Sequence, residues 1–214
     1  MPPRHDAPPP ALWPEDVTFL VRPRLERSFP ADLVPLLLAN PDARFAPVPA
    51  PHPPTVLIKR VTTPGHPAHG QRCLVAKKAI KGGEMVVPYL GEIHATFTKA
   101  EEGDAEGARV PPPQPSHEDS DYDLSLLRLS ASDPRNPYPG YHISIGVDAA
   151  SIGNAARFVN DYRGVGAAPN AEFRLGRGPG GEMRMEVWSA RGGIAKGDEV
   201  LVSYGKGWWG ARTG

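Results

Sequence analysis

The chain of 214 residues is long enough to bury the core of one compact domain with extensions. Lysine plus arginine and aspartate plus glutamate each total 24, so the net charge is zero, which argues against nonspecific nucleic-acid binding. The single cysteine, Cys73, excludes a disulfide within these residues and a cysteine-based zinc site. No apolar run approaches the roughly 20 residues that span a bilayer, and the N-terminus lacks a signal-peptide pattern. We therefore expect an intracellular protein, nuclear or cytoplasmic, with no direct nucleic-acid or membrane partner; the sequence assigns no oligomeric state.

Proline sets the N-terminal part of the chain apart, since 17 of the 27 prolines lie in the first 67 residues. Proline has no amide donor and restricts the residue before it, so long strands and helices are disfavoured there. We predict a Pro-rich N-terminal extension over residues 1–54, partly disordered, with the disorder over residues 1–10. Within it, the apolar stretch ADLVPLLLAN at 31–40 predicts a short helix, and residues 41–54 predict an extended linker.

The main domain is expected over residues 55–209, followed by a tail at 210–214. Short β-rich segments separated by glycine predict a mainly β fold with short helices, and a flexible, acidic loop about 99–120 interrupts it. The predicted strands lie at 56–61, 74–76, 84–91, 122–129, 141–147, 171–175, 182–188 and 199–204. Pro88 lies inside one of them and indicates an edge position or a bulge. One helical turn is predicted over 150–158.

Three segments carry the strongest functional signal. They are GQRCLVAKKAIKGGEMVVPYLGE at 70–92, VDAASIGNAARFVNDYRGVGAAPN at 147–170 and IAKGDEVLVSYG at 194–205. In this order they resemble the SET-domain family of S-adenosylmethionine-dependent protein-lysine methyltransferases. The resemblance implies small β-sheets around a knot-like threaded C-terminal segment. It also implies that S-adenosyl-L-methionine binds on one face as the cofactor, and that a lysine of a protein or peptide substrate enters from the other face through a narrow channel.

Tyr204 matches the family tyrosine of the third segment, and the resemblance implies that it is the catalytic residue at the base of the channel. The alternative is a core tyrosine that ends a strand. Val202 and Tyr122 are expected to line the substrate channel, and Tyr122 is equally compatible with a packing role. Methyl transfer needs a neutral lysine amine, whose ordinary pKa is about 10.4. A dry aromatic channel favours that neutral form by desolvation.

The resemblance implies cofactor contacts in three parts of the chain. The candidates are Gln71, Arg72 and Cys73 in the opening segment, Tyr122, Asn160 and Asp161 in the middle, and Trp209 near the C-terminus. The aromatic side chains of Trp208 and Trp209 are suited to cover an adenine, to cap the channel or to form a hydrophobic plug. Arg157 and Phe158 are expected to hold the knot together, and Asn170 to be structural.

The motifs depart from the family pattern at two places. QRC at 71–73 replaces a Gly-x-Gly triplet, and DYR at 161–163 replaces His-Ser-Cys. These departures leave open a second hypothesis, a catalytically weak SET module that acts as a protein-interaction domain. The acidic stretch at 118–123 is compatible with attraction of a basic peptide or with a solvated loop. The seven histidines indicate surface or loop positions, and no metal site is predicted.

Overall fold

Thirteen short strands form five small β-sheets in residues 4–100 and 109–204, the part of the chain that the computed structural model describes. The strands are β1 Thr18–Phe19, β2 Arg24–Leu25, β3 Val56–Arg60, β4 Arg72–Ala76, β5 Met85–Tyr89, β6 Glu92–Lys99, β7 Asp123–Leu129, β8 Tyr141–Asp148, β9 Ile152–Gly153, β10 Asn160–Asp161, β11 Ala171–Arg177, β12 Met183–Ser189 and β13 Leu201–Val202. The helical segments are α1 at Val34–Leu37 and two 3-10 turns at Ala31–Leu33 and Ala155–Phe158. None of these described helices is long and apolar enough to cross a membrane.

The largest sheet has the order β2-β6-β8-β7, and a second has the order β11-β12-β5. The remaining sheets are the pairs β3-β4, β1-β9 and β10-β13, of which the last two are parallel. The main core is built from apolar side chains that these sheets and the 3-10 turns bury together. Pro88 lies in β5, an edge strand of its sheet, so the predicted edge position is confirmed.

The predicted strands of the main domain are all present, with ends displaced by at most two residues. The predicted helices are shorter than expected. The helix over 31–40 ends at Leu37, because Leu38 is extended and bridges to Glu182. The turn over 150–158 is reduced to Ala155–Phe158, because β9 pairs with β1. In both places tertiary pairing overrides local propensity.

The predicted loop about 99–120 begins where β6 ends. Strand β6, which was not among the predicted strands, pairs along its whole length with β8. Residues 109–120 contain neither a strand nor a helix, as expected of a loop. The centre of the loop at 101–108 and the predicted tail at 210–214 lie outside the described residues.

The N-terminal residues pack against the rest of the protein. β1 and β2, which the sequence did not predict, pair with β9 and β6. Trp13 is buried, and its ring packs edge-on against Phe19 at 5.0 Å and Phe158 at 5.5 Å. The Phe19 amide donates to His5 Nδ1, and Arg24 forms an ion pair with Asp6. The predicted disorder over residues 1–10 therefore does not describe His5 and Asp6, whereas the division of the chain at residue 54 stays a prediction.

Asn154 joins three segments of the chain from a fully buried position. Its Oδ1 accepts from the Leu90 amide at 3.1 Å, and its Nδ2 donates to the carbonyl oxygens of Pro51 at 2.9 Å and Pro88 at 2.8 Å. Gly153 precedes it, and a Cβ atom there would lie 2.9 Å from the Leu90 carbonyl oxygen. The Gly-Asn pair of the second motif is thus explained by a close backbone approach followed by a buried amide that satisfies three backbone groups.

Substitution Asn154→Ala should lower the free energy of unfolding by about 3 kcal/mol, because it leaves a buried amide and two carbonyl oxygens without their partner. Urea unfolding of the variant and the wild type measures this difference. Asn40→Ala is the matched control, since Asn40 is exposed and its side chain accepts only from the nearby Asp42 amide among the described contacts. We expect the control to change stability by less than about 0.5 kcal/mol. Equal effects of the two substitutions would contradict the role of Asn154.

Asp148 and His117 hold the segment that precedes β7. His117 Nδ1 hydrogen-bonds Asp148 Oδ2 at 2.7 Å, and its ring stacks on His94 with centroids 3.8 Å apart. Ser120 donates to the other Asp148 oxygen at 2.7 Å. Burial alone would lower the pKa of His117, but the hydrogen bonds and charges of Asp148 and Glu26 outweigh it and raise that pKa. In its protonated form, His117 therefore fastens this segment to β8.

Because the folded-state pKa of His117 is raised, its stabilising contribution is complete below the ordinary value of 6.5 and is lost as pH rises through the raised pKa. We expect the stability advantage of the wild type over His117→Gln to shrink as the pH rises from the acidic to the alkaline side of neutrality. Urea unfolding of both proteins at a series of pH values measures this difference, and other titrating groups largely cancel in it. An advantage that stays constant with pH would contradict the ion pair.

Candidate active site

A short parallel pair of strands lies at the centre of the site. β10 and β13 pair with Asn160 opposite Leu201. Asn170 reinforces the pair, because its backbone amide donates to the Leu201 carbonyl at 3.0 Å and its Oδ1 accepts from the Leu201 amide at 2.8 Å. Its Nδ2 also donates to the Glu199 carbonyl at 2.8 Å. The side chain of Asn170 thus extends a ladder that is too short to be stable by backbone bonds alone.

Tyr204 follows β13 and is fixed at both ends. Its backbone amide donates to Asp161 Oδ2 at 2.7 Å, and its hydroxyl donates to the Val159 carbonyl at 2.8 Å. Burial raises the pKa of Tyr204, and the neighbouring Tyr122 and Asp161 raise it further. The hydroxyl is therefore neutral at physiological pH. Its bond to Val159 uses the proton and none of the oxygen lone pairs.

The carboxylate of Asp161 is buried and engaged by its neighbours. Besides the Tyr204 amide, it accepts from the Arg163 backbone amide at 2.9 Å and from the Arg163 guanidinium at 3.0 Å. Asp161 stands where the family pattern has histidine. Here it fastens the segment after β10 to the segment after β13, which fixes the position of Tyr204.

An open cavity of about 530 Å³, hereafter the cleft, lies beside these residues. Polar, charged and aromatic side chains dominate its walls. The cleft is lined by His66, Pro67, Ala68, Gly70, Gln71, Arg72, Asp121, Tyr122, Arg157, Phe158, Asn160, Asp161, Arg163, Val165 and Tyr204. Residues from distant parts of the sequence therefore meet around one opening.

A second cavity of about 80 Å³, hereafter the narrow cavity, adjoins the cleft. Its walls are mainly aromatic and apolar. It is lined by Tyr89, Asp121, Tyr122, Asp123, Leu124, Arg157, Val159, Phe173 and Tyr204. The residues that line both cavities, hereafter the shared wall, are Asp121, Tyr122, Arg157 and Tyr204. The two cavities are therefore separated by the thickness of a few side chains.

Two further contacts brace the shared wall. The Tyr89 hydroxyl donates to the Tyr122 carbonyl at 2.8 Å, and the ring of Tyr89 packs edge-on against Phe173. The Arg157 guanidinium lies 4.3 Å from the centre of the Tyr122 ring, a cation–π contact in a buried setting. The same guanidinium donates to the Ala149 carbonyl at 2.8 Å. Arg157 therefore orients Tyr122, which gives this motif arginine a definite structural role.

The structure brings most of the predicted site residues together. Gln71, Arg72, Tyr122, Asn160, Asp161 and Tyr204 all line the cleft. Trp209, and Trp208 beside it, lie outside the described residues. His66 was given no role in the site, yet it lines the cleft and lies 3.1 Å from the carboxylate of Glu199. His66 lies outside the three motif segments and Glu199 lies inside the third, but their contact spans 133 positions of the chain and no motif indicates it.

Two predicted residues line neither of these two cavities. Cys73 follows Arg72 in β4 and lies behind the wall of the cleft, next to Ala68, which lines it. There it is buried in a small cluster with Val61 and Val75. Burial, assisted by the charge of Glu199, raises the pKa of Cys73 to about 12, so the thiol stays protonated and unreactive. Val202 is fully buried in the main core, so its predicted place in the wall of the substrate channel is not observed in these two cavities.

The overall fold resembles solved structures. A crystal structure of ATXR5 in complex with histone H3.1 mono-methylated on R26 gives a TM-score of 0.53 at 16% identity, over 88% of this chain and 81% of that chain. An ATXR5 SET domain in complex with histone H3 di-methylated on R26 gives 0.44 at 20% identity, over 71% and 57%. Chaetomium thermophilum Polycomb Repressive Complex 2 bound to GSK126 gives 0.41 at 22% identity, over 70% of this chain and 16% of that chain. At these identities the likeness concerns the fold.

A comparison with curated protein sequences finds no match. A family model described as SET domain matches residues 71–205, well over half of the chain. This span contains β10, β13 and most of the residues that line the two cavities. The chain therefore belongs to the SET-domain family.

Proposed function

We propose that this protein is an S-adenosylmethionine-dependent protein-lysine N-methyltransferase, which acts on a lysine side chain of a histone or another protein. The observation that carries the proposal is the meeting of an open polar cleft and a narrow aromatic cavity at Tyr122 and Tyr204. Methyl transfer by direct displacement needs the donor and the acceptor on opposite sides of one carbon atom. Two cavities that border the same four residues offer one side for the donor and one for the acceptor, and membership of the SET-domain family supports the reaction type.

The cleft suits S-adenosylmethionine in size and chemistry. Its volume of about 530 Å³ lies within the range of roughly 300–1,000 Å³ that is usual for ligand pockets. The guanidinium of Arg72 is suited to pair with the carboxylate of the methionine part of S-adenosylmethionine. The ring of Tyr122 offers a face on which the adenine can stack. The side-chain amide of Asn160 offers its carbonyl oxygen as an acceptor for the amino group of the ligand. We propose that these residues hold the cofactor together with Gln71, and that Asp161 acts by fixing its neighbours.

The narrow cavity suits an unprotonated lysine chain. Tyr89, Phe173 and Leu124 give it apolar walls, which disfavour a charged ammonium group by desolvation. The guanidinium of Arg157 acts in the same direction, and the carboxylates of Asp121 and Asp123 act against it. When bound, S-adenosylmethionine supplies a methyl group on a sulfonium centre. Transfer to an unprotonated lysine nitrogen would give a methylated ammonium group and a neutral thioether, so no proton would have to leave during the displacement, and the residues of the narrow cavity would act by holding the neutral amine.

Tyr204 is the proposed catalytic residue because it borders both cavities. Its hydroxyl is neutral and anchored on the Val159 carbonyl, so the oxygen is held in one place. A fixed dipole at this point stabilises the partial positive charge on the transferring methyl without reorganisation. Asp161 secures the same residue through its backbone amide.

Substitution Tyr204→Phe should reduce methyl transfer on the order of 100-fold, because it removes the fixed hydroxyl dipole while keeping the ring. The measurement is transfer of an isotopically labelled methyl group from S-adenosylmethionine to lysines of histones and of a cell extract. Cofactor affinity, measured by calorimetry, should change by less than about threefold. Tyr141→Phe is the matched control, because Tyr141 lies at the start of β8 and borders neither cavity.

Unchanged transfer by Tyr204→Phe would remove this residue from the mechanism. A folded wild-type protein that neither binds S-adenosylmethionine nor transfers a methyl group would overturn the proposed activity. That outcome would favour the second hypothesis, a SET module that acts as a protein-interaction domain.

A further inference from the structure

The Glu199 carboxylate contacts two side chains that line the cleft, Asn160 and His66. Its Oε1 accepts from Asn160 Nδ2 at 2.7 Å, and its Oε2 lies 3.1 Å from His66 Nε2. The charge of this carboxylate also raises the pKa of the buried Cys73 thiol, although burial is the larger cause. The side chains of Glu199 and His66 are 13% and 10% exposed, so these contacts are well shielded from water. Shielding makes each of them stronger than a comparable surface contact.

The tautomer of His66 follows from its second contact. His66 Nδ1 accepts a hydrogen bond from the Ala68 backbone amide at 3.0 Å. A nitrogen that accepts carries no proton, so the proton of the neutral ring lies on Nε2. Nε2 therefore donates to Glu199, and both oxygens of the carboxylate are acceptors in this network.

The same network fixes the orientation of Asn160. Its amide nitrogen must face Glu199, because a rotated amide would place its carbonyl oxygen 2.7 Å from a carboxylate oxygen. Two acceptors at that distance repel each other. The Arg72 carbonyl oxygen, 3.5 Å from the same nitrogen, is a second acceptor on this side. Asn160 lines the cleft, so its carbonyl oxygen is the end that remains for a ligand.

We infer that Glu199, held by His66, is a positioning residue that turns the Asn160 carbonyl oxygen toward the cleft. The cleft then selects a ligand group with N–H donors, an amine or ammonium, at this point. The inference rests on the proposed function for the identity of that ligand, S-adenosylmethionine, which carries both an ammonium and an aromatic amine. Glu199 acts through Asn160 and makes no contact with the reacting atoms.

Glu199→Gln separates this role from simple support of the fold. The variant keeps the size of the side chain and the backbone contacts of Glu199 with Asn170 and Val75. Glutamine offers one acceptor oxygen, whereas Asn160 and His66 are two donors, so one of them faces an NH₂ group. Asn160 is then able to rotate and to present its own NH₂ group to the ligand.

The experiment is a double-mutant cycle with Glu199→Gln and Asn160→Ala, read by calorimetric titration of the full chain with S-adenosylmethionine. We expect Glu199→Gln to weaken binding on the order of tenfold in the wild-type background and less than about twofold in the Asn160→Ala background. Glu172→Gln is the matched control, because Glu172 is exposed on β11 and pairs with Arg174. It should leave the affinity unchanged.

A second measurement needs no variant and no ligand. Nitrogen-15 NMR of the wild-type protein should show His66 as the Nε2–H tautomer, and a proton on Nδ1 alone would overturn the inference. Tenfold losses in both backgrounds of the cycle would also overturn it while leaving the proposed function intact. Failure of the wild type to bind S-adenosylmethionine would instead overturn the proposed function, and the role of Glu199 in binding this ligand with it.

Discussion

The parallel pairing of β10 with β13 is the constraint on which the site depends. Two residues on each strand bring the middle and the end of the matched family span together. Asn170 completes the ladder from the side, and Asp161 extends the contact to the Tyr204 amide. Without this pairing, Asn160 and Tyr204 would not border one cleft. The threading of the C-terminal segment stays a prediction of the family resemblance.

In this fold, polar side chains make many of the hydrogen bonds to backbone groups that longer strands would make. Strands of two to eight residues leave many backbone groups without ladder partners, and such groups must be satisfied when they are buried. The side chain of Asn154 serves three of them, that of Asn170 serves two near β13, and that of Arg157 serves two carbonyl oxygens. The motif residues are therefore explained first by backbone satisfaction. The positions of the cleft residues follow from it.

Sequence patterns predicted the parts of the structure that depend on local order. Alternating and β-branched runs predicted most of the longer strands, because hydrophobic period and strand length are local properties. The two-residue strands β1 and β2 were missed, since their pairing partners are distant and the surrounding prolines disfavour strands. The helix predicted over 31–40 was too long for a similar reason, because a bridge to Glu182 extends the chain at Leu38.

Site residues that lie at motif positions were predicted. Contacts that form only because the fold brings distant segments together were missed. Tyr204 and Asn160 were placed at the site by the motifs, and both line the cleft. Cys73 was included as a neighbour of Arg72, but it is buried behind the cleft in an apolar cluster with Val61, Ala68 and Val75. The contact between Glu199 and His66 could not be predicted, because it depends on the folded arrangement of two distant segments.

The most direct test of the two-cavity site is a crystal structure of the protein with S-adenosylhomocysteine, the product left after methyl transfer. We predict the ligand in the cleft, with an amine or ammonium group against the Asn160 carbonyl oxygen and the sulfur directed toward Tyr122 and Tyr204. A ligand bound elsewhere, or a cleft without ligand in crystals grown at saturating concentration, would contradict the assignment of the two cavities.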